Sequence, residues 1–472
     1  MEIAAVHSLF RGLFRGLFRW VGLLIALVKK PFEGGRPWSS GRSLGRGVWG
    51  ILLVLGLAGA IAVSSGGRLF ASDANSPVEL NLLMHVPEAE QWSGIVESFE
   101  AENPGIKLNV IEGPSATNLI EDLHTSAFIL GDSPYDLIYL DIAWVPKFAA
   151  AGWLMDLSDR ISPEELDAFL PGDVNGGRYQ GGLYRMPFRT DMGMLYYRKD
   201  LLEELGIDPP QTFDDLMAAS QQLQAAEKTE WGYLWQGKQY EGLAAMVVEI
   251  FQGFGAFWVD PETLAVGLDK PEAIAAVQFL VDTIDQGVSP PGSTTYTETE
   301  TLRFFKNGSA AFLRNWPYVW AEANKPDSPI RGKVGIVPMV HAPGQKSGAC
   351  QGGWGLGINR FSKHPDEAWA AAQFFARDDI QKQFVMEHSY VASRKALAQD
   401  PDVVGKYPQY PQLVEILETS PVLRPPIAQY AQASDILQRY LTAALTRSMS
   451  PEAAMQAAAR ETRSLFGKVG EG

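Results

Sequence analysis

Apolar residues alternate through Val78-Glu79-Leu80-Asn81-Leu82-Leu83-Met84, a pattern that predicts a β-strand. Behind it Trp92, Ile95, Val96 and Phe99 recur at helical spacing, and Asn103-Pro104-Gly105 supplies the stop. The same reading predicts a strand over 106–111, a helix over about 115–130, a strand over 136–140 and a helix over 143–151 closed by Gly152. Strands alternating with helices imply a parallel sheet covered on both faces. The pattern then changes. Residues 172–187 are Gly-rich and loop-like, and Met194–Tyr197 reads as a strand able to carry the chain into a second domain. Thr212 and Asp215 form an approximate capping box for a helix starting at Phe213. From there to about residue 321 the signals are mainly helical, with runs near 240–254, 271–286 and 299–306. Strands return at 334–337 and 355–358, and the remainder is helical. The expected organisation is a first part of one lobe over 78–190, mainly a second lobe over 191–335, and mixed return segments over 336–472. A cleft between two lobes follows, at the carboxyl ends of the strands.

Ahead of this body, residues 48–67 carry no charge, enough at about 1.5 Å per residue to cross a hydrocarbon core of about 30 Å. Arg36, Arg42 and Arg46 precede that stretch and only Arg68 closely follows, so the positive-inside bias places residues 1–47 in the cytoplasm and the body outside. A signal peptide cut near Ser72-Asp73-Ala74 fits the same pattern. Further upstream, LFRGLFRGLFRW fits either a basic amphipathic segment on the inner leaflet or a disordered basic arm. Residues 68–77 form the linker. A lipid anchor is not expected, because the single Cys is at position 350.

Charge sharpens the division. Residues 1–76 hold nine Lys/Arg and three Asp/Glu, which leaves 31 against 52, a net of −21, for the remaining residues. So acidic a body repels nucleic acid and anionic headgroups, and no nucleic-acid partner is expected. With 6 His and 1 Cys, metal and thiol chemistry have few ligands to draw on, and neither a metal nor a cofactor is expected. The chain contains no HExxH or GxxxxGK[ST] motif.

Candidate chemistry concentrates in loops and strand ends. Asp141 closes the strand DLIYLD, and Asp191 stands just before the proposed crossover strand. Ionised carboxylates there can accept hydrogen bonds from sugar hydroxyls, at roughly 1.5–3 kcal/mol each; each also fits an ordinary helix or turn cap. Trp316 precedes a Pro and Trp354 follows Gly352-Gly353, so both offer flat apolar faces outside periodic stripes, although an indole in the core explains them equally. Asp141 with Asp191 would also serve as the paired carboxylates of a glycosidase, were they about 5–9.5 Å apart.

Several segments, in order, resemble extracellular solute-binding proteins of family 1, the sugar receptors of ABC importers related to maltose- and trehalose-binding proteins. They are FEAENPGIKLNV, YDLIYLDIAWVPKFAAAGWLMDLS, GGLYRMPFRTDMGMLYYRKDLLEELGIDPPQTFDDL, FKNGSAAFLRNWPYVW, GGWGLGIN and ASRKAL, spanning about residues 78–400. The resemblance implies a two-lobed α/β fold of the periplasmic-binding-protein type II, with a hinge, preceded here by an N-terminal transmembrane helix. It further implies Asp141 and Asp191 as hydroxyl acceptors, Trp316 and Trp354 as stacking platforms, Gly353 as close backbone, Arg394 as a donor and Glu90 as an acidic contact. The expected protein is a monomeric, non-enzymatic receptor that captures a disaccharide or glucosyl solute such as trehalose, maltose, sucrose or glucosylglycerol and delivers it to a membrane permease. An exported glycoside hydrolase and a sugar-sensing co-receptor are the alternatives.

Overall fold

The computed structural model describes residues 76–86, 88–131 and 133–467. The expected membrane-spanning stretch 48–67 and the basic arm lie outside them. Among the described residues no helix is long and apolar enough to cross a membrane.

The chain opens with β1 (Val78–His85), α1 (Ser93–Glu102), β2 (Ile106–Gly113), α2 (Thr117–Leu130) and β3 (Leu137–Asp141), in the order the periodicity predicts. β1 pairs in parallel with both β2 and β3. Leu80, Leu82 and Met84 are fully buried, and Trp92 packs at 4.7–4.8 Å on the rings of Phe188 and Phe375. Each such side chain contributes about 1.5–3 kcal/mol, which is what pins α1 to the sheet.

The stretch expected to be loop holds a short helix (Pro171–Gly176), a small hairpin and then β4 (Met186–Met192). Every residue of β4 is buried, Arg189, Thr190 and Asp191 included, so it lacks the alternation that marks a strand in sequence. β5 (Met194–Arg198) follows after one residue, Gly193, and belongs to a different sheet. There it joins β6 (Trp231–Leu234), β7 (Ala310–Asn315) and β8 (Val334–Val337) in the order β8-β5-β7-β6. Between these strands run α3 (Phe213–Ala225), begun by the full Thr212–Asp215 capping box, and α4 (Glu241–Phe254). β6 and β7 are short strands in a stretch that reads as helical.

The chain returns through β9 (Ala349–Ile358), which lies antiparallel between β3 and β4. The first sheet is therefore mixed, not wholly parallel. Its order is β10-β4-β9-β3-β1-β2, with β10 (Val391–Ala392) at one edge and β11 (Pro421–Val422) paired on the start of β9. The expected strand over 355–358 is only the end of β9. Its first half is Gln351-Gly352-Gly353-Trp354, where two glycines hide the period.

Gly193 joins the two sheets at a point with no room for a side chain. A Cβ there would stand 1.6 Å from Glu249 Oε1 and 2.3 Å from Arg314 Nη2. Those two residues are fully buried, with Arg314 Nε donating to Glu249 Oε2 at 2.7 Å. Gly193→Ala should therefore displace a buried ion pair and lower unfolding free energy by about 3 kcal/mol or more in a urea titration. A variant within about 0.5 kcal/mol of the parent would show that the crossing can open freely.

Candidate functional site

The carboxyl ends of β1, β3 and β4 and the start of β9 meet beside the crossing to the second sheet. Register places Trp354 opposite both Asp141 and Arg189, and Gly352 opposite Asp191. Because strand side chains alternate, Asp141, Arg189, Asp191 and Trp354 share one face. Gly353 takes the other face, where a Cβ would meet Asp173 Oδ1 and the Arg189 carbonyl at 3.0 Å. It is thus a close-packing position at the back of the sheet, with φ at +142°. The glycine that clears the cleft is Gly352: a Cβ there would lie 3.6 Å from Trp316 Cζ3.

Arg189 is the centre of the first lobe's contribution. Its Nε and Nη2 donate to the two oxygens of Glu88, each at 2.8 Å, its Nη1 donates to Asp191 Oδ2, and its guanidinium lies 4.3 Å from the Tyr390 ring centre. His85 Nε2 is 3.0 Å from Glu88, and the Tyr139 hydroxyl donates to the same carboxylate. Burial alone would raise the pKa of Glu88; the Arg189 charge and the His85 hydrogen bond overcome it and hold Glu88 far below the usual carboxylate range. Asp191 is pushed up to about 6 by burial, with Arg189 opposing and the charges of Glu88 and Asp141 adding to the rise. Its Oδ1 is buried with no protein partner among the described residues. A buried acceptor without a partner costs about 1–3 kcal/mol, so an incoming hydroxyl has something to gain there.

Asp141 is both cap and ion-pair partner. Oδ1 accepts the Ala143 N–H at 2.8 Å, starting the turn Ile142–Trp144, and also accepts Arg424 Nη2 at 2.6 Å. Arg424 Nη1 reaches Glu241 Oε1 at 3.0 Å at the start of α4, so one guanidinium links an end of the first sheet to a helix of the second lobe. From the second lobe, Trp316 follows β7, partly exposed, with its ring 4.1 Å from the Arg314 guanidinium and its Nε1 donating to Glu298 Oε1 at 3.2 Å. Tyr240 donates its hydroxyl to the other Glu298 oxygen at 2.6 Å.

The expected residues divide. Asp141, Asp191 and Trp316 come together. Trp354 borders them but is buried, stacked on Tyr139 at 4.8 Å and edge-on to Trp144 at 5.4 Å, so it is a wall and not an open platform. Glu90 is exposed and away from the cluster; Glu88, two residues earlier, is the acidic group at this position. The signal was present, since 88, 92, 95 and 99 form one helical stripe and 90 falls off it. Arg394 is consumed elsewhere, its Nε donating to the Ala376 carbonyl at 2.6 Å and pairing with Asp378 at 3.0 Å, its guanidinium 4.0 Å from the Phe169 ring centre. Arg189, Arg424, Glu241 and Glu298 have no short motif to announce them.

Residues 85–382 match the sequence profile described as "Bacterial extracellular solute-binding protein". A probable ABC transporter-binding protein of Deinococcus radiodurans is 32% identical over 75% of this chain and 86% of its own length. The maltotriose-binding protein of Pyrococcus abyssi is 25% identical over 68% of this chain and 67% of its own. Among solved structures, maltose-bound T. maritima MalE3 superposes with a TM-score of 0.78 at 37% identity, over 82% of this chain and all of its own. A ribitol complex of a solute-binding protein from Agrobacterium radiobacter gives 0.76 at 25% identity, over 83% and 99%.

Removing the guanidinium with Arg189→Met strands two buried carboxylates, and unfolding free energy should drop by about 3–5 kcal/mol in denaturant titration. Glu90→Gln should stay within about 0.5 kcal/mol of the parent in the same experiment.

Proposed function

We propose the following from the premise that the chain belongs to the bacterial extracellular solute-binding protein family. It is the extracytoplasmic sugar receptor of an ABC importer, and it hands its ligand to membrane permease subunits. The sugar is a disaccharide or similar glucosyl compound, a reading supported by the maltose complex at 37% identity and the maltotriose-binding relative. The single observation that carries the site is the buried, unpartnered Oδ1 of Asp191 beside the half-open Trp316 indole. A sugar hydroxyl fills the first and a pyranose face covers the second. Asp141 and Arg424 extend the polar rim, and Glu298 orients the indole.

The receptor works by closure without chemistry on its ligand. Asp141 and Asp191 are each bonded to a guanidinium, which suits fixed hydrogen-bond acceptors better than an acid and a nucleophile. Ligand groups that touch both lobes favour the closed arrangement, because only differential contact shifts such an equilibrium. The receptor acts as a monomer, its acidic body has no affinity for nucleic acid, and residues 48–67 tether it to the cytoplasmic membrane.

A thermal-shift screen over maltose, trehalose, sucrose and glucosylglycerol, followed by calorimetry, tests the reading. At least one should stabilise the protein by mass action, and no shift with any sugar would overturn it. With the best ligand, Trp316→Ala should weaken affinity by about tenfold or more. Asp191 is ionised above about pH 6 and protonated below it. Affinity should therefore fall as pH drops from 7 to 5, and Asp191→Asn should flatten that dependence as well as weaken binding at pH 7.

A further inference from the structure

The three most exposed large apolar side chains among the described residues are Leu130 at 81%, Ile129 at 71% and Phe361 at 64%. Although 231 positions separate them in sequence, they stand at one end of the first lobe. Phe128, next to Ile129, stacks on Trp153 at 5.0 Å, and the Trp153 carbonyl accepts the Arg360 N–H at 2.9 Å. Below α2, Asp136 accepts the Ser362 hydroxyl at 2.7 Å, and Asn359 donates to the Tyr135 carbonyl at 2.7 Å. This is the end of the sheet where β1 begins: Asn81, three residues into that strand, donates to the Pro134 carbonyl at 3.0 Å. Asp141 and the site lie at the other end of the same strands.

Two further facts bear on what covers this patch. First, only residues 68–77 separate Val78 from the uncharged stretch 48–67, and ten residues reach at most about 33–36 Å. The patch is at the end of the lobe where that short linker joins. Second, Phe361 lies in Arg360-Phe361-Ser362-Lys363, and both cations are exposed with no carboxylate partner among the described residues; the nearby Asp366 pairs with Arg160. A basic and aromatic loop beside two bare aliphatic side chains is unusual on a body of net charge −21. It matches the makeup of a surface that settles among anionic headgroups with its apolar tips in the acyl boundary.

We propose that Ile129, Leu130 and Phe361, flanked by Arg360 and Lys363, form a membrane-contact patch that seats the first lobe on the outer leaflet. The proposal rests on the tether read above. One anchoring signal plus a weak second one fixes orientation as well as proximity. Seated this way, the receptor points its cleft away from the bilayer, toward incoming solute, and must lift off to present its cleft to the permease.

The test uses the full chain in vesicles of phosphatidylglycerol and phosphatidylcholine, with Phe361→Cys carrying a fluorophore and a nitroxide-labelled lipid as quencher. Phe257→Cys, on the second lobe and 44% exposed in the parent, is the comparison, and the parent chain, whose Cys350 is buried, is the control for background labelling. Quenching at 361 should exceed that at 257 by about twofold or more. It should fall toward the 257 level when Arg360→Glu and Lys363→Glu are added, with sugar affinity unchanged. Equal quenching at 361 and 257 in protein that floats with the vesicles would overturn the patch and leave the tether standing. Protein that fails to float would overturn the tether, and the patch with it.

Discussion

Arg314 leaves the middle of the second sheet and meets Glu249 with neither side chain exposed to water, and Glu249 Oε1 also accepts the N–H of Cys350 at 3.0 Å, where β9 re-enters the first sheet. Gly193 presses on the same pair from the outgoing crossing. Two strands that connect the lobes are thus packed on one ion pair. Withdrawing two charges from water is unfavourable by several kcal/mol per ion, and only close geometry with further hydrogen bonds offsets it. Gln236 accepts Arg314 Nη1 at 3.2 Å, and burial raises the pKa of Glu249 against the pull of Arg314. The arrangement tolerates little displacement. Because β9 starts there, the pair sets where Gly352 lies opposite Asp191; because β7 carries Arg314, it also sets where Trp316 hangs over the cleft.

The same economy of charge runs through the cleft. Glu88 and Asp191 share Arg189, and Asp141 and Glu241 share Arg424. A neutral, hydroxyl-rich ligand can enter such a site without stranding a charge, since these four carboxylates already have a cation. What it gains is orientation: the carboxylates are held in place before it arrives, so few rotamers are lost on binding. A site built for an ionic ligand would instead leave an uncompensated charge for the ligand to neutralise.

Strands and helices with a clean period were legible in the sequence. β1, β2, β3, α1, α2 and the capped start of α3 follow directly from apolar spacing and stop signals. The strands that build the site were not. β4 carries Met186-Pro187-Phe188-Arg189-Thr190-Asp191-Met192 with both faces covered, and the start of β9 is Gln351-Gly352-Gly353-Trp354. A strand buried on both faces has no alternation to display, and a glycine has no side chain to register. Asp141, Asp191 and Trp316 stood out in the sequence because they lie at element ends, where polar or aromatic groups break a pattern. Arg189 and Arg424 escaped because their roles depend on partners 101 and 283 positions away. Arg394 attracted a role through its neighbours in sequence, but Asp378 and Phe169 hold it within the first lobe.

Arg424 joins charge pairing to motion. Its partners lie on different elements, Asp141 at an end of the first sheet and Glu241 at the start of α4. Any motion that parts those two elements must strip the guanidinium from one of them, and water must then solvate what is exposed. That requirement opposes opening in the free protein. In the binding mode proposed above, a ligand between Asp191 and Trp316 adds its own contacts to the side of the balance that Arg424 already favours, so a modest number of new hydrogen bonds suffices to shift it. The ligand need not create the closed geometry; it has only to make that geometry more favourable than the solvated alternative.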